Sequence, residues 1–306
     1  MRGRPAALPG LSLLLRRLLL LLLLLGLTRP GALPPAAARR RSQLLQMLSP
    51  GKEVRKLGTE RRMTFTDEMK DLCGRKELEW ADQPGTACLY TCGMMFAKSK
   101  PQCFCFLLDD AKLKEEKERG KAEGVAYVST NDVLTSGFFV ATGARIGMMG
   151  MDVRGRLPGV EADMAGNYVT ALTMDETTFG SPGAVRKMLS KEPFATTNKP
   201  LPSCFGWMCG QDSAAFAMAS NWSSFAGDLL QLEGCELELH MPVKNPAYCV
   251  YDLMVPFACA PGKVAMLCWV VNSDEKGLRK ALPLGESISP DMFPVGPLKS
   301  TKRTAN

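Results

Sequence analysis

From Pro101 onward, short apolar runs alternate with capped charged or amphipathic stretches, and this interleaving limits the folds open to the chain more than any other feature. Residues 102–108 are a compact apolar run that predicts a strand. Asp109-Asp110 opens a highly charged stretch over 111–118, read as a helix with a solvated face and acids in its first turn, where the helix dipole favours them. Residues 125–128 predict a short strand leading to Ser129-Thr130, a helix cap. Val133, Leu134, Phe138 and Ala141 then mark one face of a helix ending near Gly143. Strands are expected over 146–153, 168–174 and 214–220. Ser181-Pro182 caps a helix over 183–189, with proline at its first position. Residues 250–257 and 263–271 read as strands joined by the hairpin signal Ala260-Pro261-Gly262, and Ser273-Asp274 caps a last helix to Ala281. The pattern predicts an α/β fold, a two-layer mixed-sheet sandwich over residues 101–290, followed by a tail over 291–306.

The residues before this region are different in kind. Residues 1–52 hold nine Arg and Lys and no acid, which leaves 29 basic and 31 acidic residues for 53–306. The formal charge of +7 therefore belongs to the leader, and the body gives no electrostatic case for a nucleic-acid partner. Four arginines precede an uncharged run over 18–27 that includes eight consecutive leucines. Ten residues span ~15 Å as a helix, about half a bilayer's hydrocarbon core, so the run suits a signal peptide better than a membrane span. Ala36-Ala37-Ala38 offers a cleavage site, and the acid-free Arg39-Arg40-Arg41-Ser42 keeps an organelle address open beside secretion. Residues 1–38 are expected to be a cleavable leader, with no stable span in the mature chain. Residues 39–100 are weakly patterned, with a short helical candidate near 66–73, and read as a linker or partial lid.

Eleven cysteines at spacings of C-x3-C, C-x-C and C-x4-C do not form the paired C-x2-C units of a zinc ribbon. No metal site is expected. Cys103, Cys105, Cys259 and Cys268 lie in apolar stretches and read as small buried hydrophobes. Cys204 and Cys209 are the pair expected to join in an oxidising compartment.

Four stretches carry a resemblance: Val128-Ser129-Thr130-Asn131-Asp132-Val133-Leu134-Thr135, Asp152-Val153-Arg154-Gly155-Arg156-Leu157-Pro158, Gly166-Asn167-Tyr168, and Ser220-Asn221-Trp222-Ser223-Ser224-Phe225. In this order and at these separations they resemble the C-terminal half of the BAHD and trichothecene-acetyltransferase-like acyltransferases, within the wider chloramphenicol-acetyltransferase-like fold. The resemblance implies acyl transfer from a CoA thioester to the hydroxyl or amine of a small acceptor, with acyl-CoA as co-substrate and no tightly bound cofactor. It implies that Ser129 and Thr130 contact a CoA phosphate at a helix N-terminus; a plain N-cap reads the same residues equally well. Asp152 and Arg154 share one strand face and read as structural, ordering the loop that follows. Gly166 and Asn167 read as a backbone-turning pair. Ser220 is implied to support the developing oxyanion, with Trp222 and Asn221 beside the substrate; the alternative is a core Trp next to a satisfied serine. Asn221-Trp222-Ser223 is also a glycosylation sequon, expected to be buried in the active-site strand and so unmodified.

The family places a histidine base in an H-x-x-x-D motif. Here the one histidine, His240, is followed four residues later by Lys244, and the family's D-F-G-W-G element is absent. The chain is therefore read as an acyltransferase relative that is catalytically incomplete as written. The alternatives are a non-catalytic ligand- or partner-binding module, or part of a full acyltransferase. A solitary half-fold would leave an apolar sheet surface uncovered, which implies self-association or a complementary half-domain chain through the face carrying Ser220 and Trp222.

Overall fold

The computed structural model describes residues 59–83, 102–164, 168–201, 216–224, 242, 251–260 and 262–288. Residues 57–162 and 166–306 cluster as one compact unit, to which everything below belongs; the other unit is 1–56 with 163–165. The described strands are β1 (Gln102–Leu108), β2 (Ile146–Asp152), β3 (Val169–Asp175), β4 (Phe216–Ala219), β5 (Asp252–Ala260), β6 (Lys263–Val270) and β7 (Leu284–Ser287). They form one mixed sheet in the order β3-β2-β4-β5-β6-β1-β7. β2, β4 and β5 are parallel neighbours, and the remaining pairs are antiparallel. The described helices are α1 (Thr59–Cys73), α2 (Arg75–Ala81), α3 (Asp110–Lys121), α4 (Thr130–Ala141), α5 (Glu176–Phe179), α6 (Pro182–Leu189) and α7 (Glu275–Ala281). None of them is long and apolar enough to cross a membrane.

The helix α4 is the centre of one layer. Its buried Val133, Leu134, Phe138 and Phe139 put an apolar face on the sheet, and its neighbours close around it. From α3, Leu113 joins Val133 and Val128 in a small apolar cluster. At Gly137 an added Cβ would lie 2.6 Å from the Ala281 carbonyl oxygen at the end of α7, so only glycine permits that approach. Gly147 plays the same part on β2, where an added Cβ would fall 2.3 Å from the Phe139 ring carbons. Side chains alternate across a strand, so Ile146 and Met148 point to the opposite face. There they pack with Phe216 and with Trp80 of α2, which stacks on Phe216 at 6.1 Å between centroids. Further along this second face, Cys105, Leu253, Val255, Phe257, Leu267 and Trp269 form a buried cluster.

Several expectations change here. Residues 125–128 are not a strand: Val125 and Val128 serve the cluster between α3 and α4 and end at the cap of α4. The helix α1 covers the helical candidate expected near 66–73, whereas α2 gave no signal and Trp80 makes it part of the core. The seven-stranded mixed sheet with its packed helices is the α/β sandwich that the sequence pattern predicts. The β5 residues Val255 and Phe257 are buried within the chain. Neither α5 nor β7, four residues each, gave a periodic signal. The β5–β6 hairpin is as expected, with Gly262 at φ +68° supplying the left-handed residue of its turn.

The Gly147 contact gives a test. Phe139 cannot easily retreat, because its ring meets Phe179 edge-on at 5.2 Å. Gly147→Ala should destabilise the fold by ~1–3 kcal/mol, the usual cost of overpacking, read as a lower urea midpoint. Adding Phe139→Leu should recover part of that loss; a fully additive double variant would contradict the contact.

Candidate functional site

Because β2 and β4 run parallel in register from Ile146 and Phe216, the ends carrying Asp152 and Ser220 lie at the same edge of the sheet. The first turn of α4 is there too. Asn131 Nδ2 donates to Met149 Sδ at 3.3 Å, and Thr135 Oγ1 to the same sulfur at 3.8 Å. Three of the four stretches that carry the resemblance are thus gathered at one edge. Gly166, Asn167, His240, Cys204, Cys209 and the leader lie outside the described residues.

Phe216, Met218, Ser220 and Trp222 follow one another on one strand face. After β4 ends at Ala219, the chain stays beside β5 through bonds from Ser220 N to the Met254 oxygen (2.9 Å) and from Trp222 N to the Pro256 oxygen (2.8 Å). The Trp222 indole N–H donates to Ser220 Oγ at 3.0 Å. A hydroxyl that accepts in this way keeps its own proton to give. Gly150 lies alongside: a Cβ placed there would stand 3.7 Å from Ser220 Oγ, so β2 leaves that flank of the hydroxyl uncovered. Trp222 is not a core residue; it is 39% exposed. The same face carries a cleft of about 300 Å³ lined by Met148, Phe216, Ala217, Met218 and Tyr251, a volume near the lower end of the range for small-molecule sites. Its walls are apolar and partly thioether, and the Tyr251 hydroxyl is turned to Met218 Sδ at 3.8 Å. Asn221 falls on the other strand face, and its Oδ1 accepts the Ser223 N–H at 2.9 Å.

Ser129 is the N-cap of α4 in a complete capping box: its Oγ accepts from Asp132 N at 3.2 Å, and Asp132 Oδ2 accepts from Ser129 N at 2.7 Å. Thr130 is the first helical residue. Asp132 is wholly buried and is met by Arg186 of α6, whose Nε and Nη2 reach Oδ2 at 2.8 and 2.6 Å. The Arg186 guanidinium also donates to Ser129 Oγ (3.1 Å) and to the Tyr127 hydroxyl (2.8 Å), and lies 4.2 Å from the Tyr127 ring centroid. A carboxylate and a guanidinium thus already occupy the surroundings of the Ser129 side chain. The Ser-x-x-Asp spacing could have pointed to Asp132, but nothing local in the sequence joins it to Arg186, 54 residues on.

Asp152 and Arg154 form a closed unit. Arg154 N and Nη1 donate to the two Asp152 carboxylate oxygens at 3.0 and 2.7 Å, and the guanidinium lies over Tyr168 at 4.9 Å. This is a turn clasp for the loop that begins with Gly155, whose N–H meets the Val160 oxygen at 2.7 Å.

Other titratable groups at the sheet ends are also structural. Burial pushes the Asp175 carboxyl up, but bonds from the Thr177 hydroxyl and the backbone of Lys199, Asn198 and Thr177 outweigh it and hold the group below its ordinary value. Burial pushes Asp252 up, against bonds from Val271 and Asn272. Of the described cysteines, Cys73, Cys105, Cys259 and Cys268 are free thiols. Burial drives the Cys105 thiol up to about 12, so it is not a nucleophile at neutral pH. Among the described residues, no group of His, Cys, Asp and Glu could hold a metal ion.

No family model and no curated protein matches the chain. Among solved structures it is similar to vinorine synthase, at 14% identity over 61% of this chain and 49% of that one, with a TM-score of 0.39. It is also similar to TRI101 of F. sporotrichioides in complex with coenzyme A and T-2, at 14% identity over 79% of this chain and 57% of that one, with a TM-score of 0.41. A third is the epimerization domain of tyrocidine synthetase B, at 10% identity over 78% and 60%, with a TM-score of 0.38. The chain spans about half to three-fifths the length of these structures.

Two outcomes test the geometry. Arg186→Met strands the buried Asp132 carboxylate and should cost ~3–5 kcal/mol, measured by urea unfolding; a loss under ~1 kcal/mol would show that the pair is not buried as described. Asp175, with its folded-state pKa depressed, contributes stability that is present above its unfolded value near ~3.9 and lost as pH falls through its folded value. The stability gap between the parent and Asp175→Asn should therefore be full at neutral pH and close progressively below about pH 4.

Proposed function

We propose that this chain is an acyltransferase-like half-domain that binds the acyl group of a CoA thioester and does not turn it over unaided. The observation that carries the reading is the apolar cleft on the face of β4, whose Met218 is followed two residues on, on the same strand face, by a serine hydroxyl that accepts an indole N–H. Met148, Phe216, Met218 and Tyr251 would take the hydrocarbon. Residues two apart on a strand are ~7 Å apart, which sets Ser220 one side-chain step beyond Met218, where its free proton can be given to a thioester carbonyl. Such a bond favours the carbonyl oxygen most as negative charge develops on it. The CoA assignment comes from the four sequence stretches that resemble the acyltransferases, with Ser129 and Thr130 at the edge where the donor's polar end would leave.

Turnover needs a base for the acceptor's proton. A positioned base contributes ~10²–10⁴-fold in rate, and neither Ser220 nor Trp222 can act as one. The sole histidine is followed by Lys244 where the family has aspartate.

Titration calorimetry of the full chain with saturated acyl-CoAs of increasing length tests this. Each methylene buried is worth ~0.8 kcal/mol, so affinity should rise about fourfold per carbon and level off when the cleft is full. Met218→Trp should abolish the chain-length dependence, and Ser220→Ala should weaken thioesters but not the matching alkanes. CoA release should stay at background. Length-independent binding, or robust turnover lost in His240→Ala, would overturn the reading.

A further inference from the structure

Asn221 is the chain's one asparagine followed two residues later by serine or threonine without an intervening proline, the acceptor pattern for asparagine-linked glycans. As part of a buried active-site strand it would stay unmodified. It lies just past the end of β4, between Ser220 and Trp222, whose N–H groups still bond to β5, and it is only half-buried. β4 ends at Ala219, and Asn221 opens a turn through Ser223 and Ser224 in which Asn221 and Ser223 are half-buried and Trp222 and Ser224 exposed. Its Oδ1 accepts the Ser223 N–H at 2.9 Å, an Asx turn that folds the carboxamide forward over the turn rather than back onto the sheet. Nδ2, the atom that carries a glycan, has no hydrogen-bond partner among the described residues. Asn221 also lies on the opposite strand face from Ser220 and Trp222, so a sugar there leaves the cleft face open.

We infer that Asn221 is N-glycosylated, in a secretory pathway to which the arginine- and leucine-rich leader over 1–38 delivers the chain. The donor is an oligosaccharide on a polyprenyl pyrophosphate. The Nδ2–C1 bond forms, the bond from C1 to the pyrophosphate oxygen breaks, and one Nδ2 proton leaves with the lipid pyrophosphate; nothing is oxidised or reduced. The inference is independent of the acyl-binding reading, because its evidence is a turn and a leader rather than the cleft.

The full chain, translated with and without endoplasmic-reticulum microsomes, provides the test. The expected product is protease-protected, migrates one glycan more slowly, and returns to its original mobility on treatment with a glycosidase specific for asparagine-linked sugars. Asn221→Gln should remove the shift. Ser223→Ala should remove it as well, although its backbone N–H still closes the Asx turn, whereas Ser223→Thr should retain it. A chain left outside the vesicles, a protected chain of unchanged mobility, or a shift that survives Asn221→Gln would each overturn the inference.

Discussion

Everything at the candidate site depends on how closely α4 lies on β2. The approach is possible because Gly147 has no side chain where the Phe139 ring sits, and the ring is braced from behind by Phe179. Close packing of this kind is intolerant of a single added methyl. It fixes the height of α4 above the sheet; the buried Asp132–Arg186 pair fixes its start against α6. With both ends of the relation set, the first turn of α4 and the ends of β2 and β4 can only meet at one edge.

That edge is chemically divided. On the α4 side, polar groups are paired among themselves: Ser129 with Asp132, Asp132 with Arg186, Arg186 with Tyr127. Such fully connected clusters rigidify a structure more than they offer a ligand contact. On the other face the described cleft side chains are apolar apart from the Tyr251 hydroxyl, which is turned to Met218, and beside them Ser220 keeps a proton to donate. An amphiphile with a long hydrocarbon and one carbonyl matches that face, which is why the proposed ligand is an acyl thioester rather than a polar metabolite.

Much of the fold was legible in the sequence because its signals are local. Strand β1 was readable from a seven-residue apolar run, α6 from Ser181-Pro182, and the β5–β6 hairpin from Pro261-Gly262. The helix α4 announced itself through Ser129 and a 3.6-residue apolar period. What escaped depended on distant partners. The run over 125–128 has strand composition, but packing against Leu113 and Val133 claims it as a connector. The helix α2 has little amphipathic signature, yet Trp80 finds a place against Phe216, 136 residues away in the chain. At the site, the shared face of Ser220 and Trp222 followed from strand alternation alone. The Trp222 bond to Ser220, the Arg186 clasp and the turn at Asn221 did not, since none of them is a property of spacing.

The claim most open to direct contradiction is that the ligand enters the face carrying Met148 and Met218. Methionine methyl NMR separates the two faces of the sheet, because Met149 and Met254 lie against the helical layer while Met148 and Met218 line the cleft. With the methyl signals assigned by single Met→Leu variants, titration of the full chain with a medium-chain acyl-CoA should shift Met148 and Met218 in a saturable way and leave Met149 and Met254 in place. Shifts confined to the helical face, or no saturable shift at Met148 and Met218, would contradict the account.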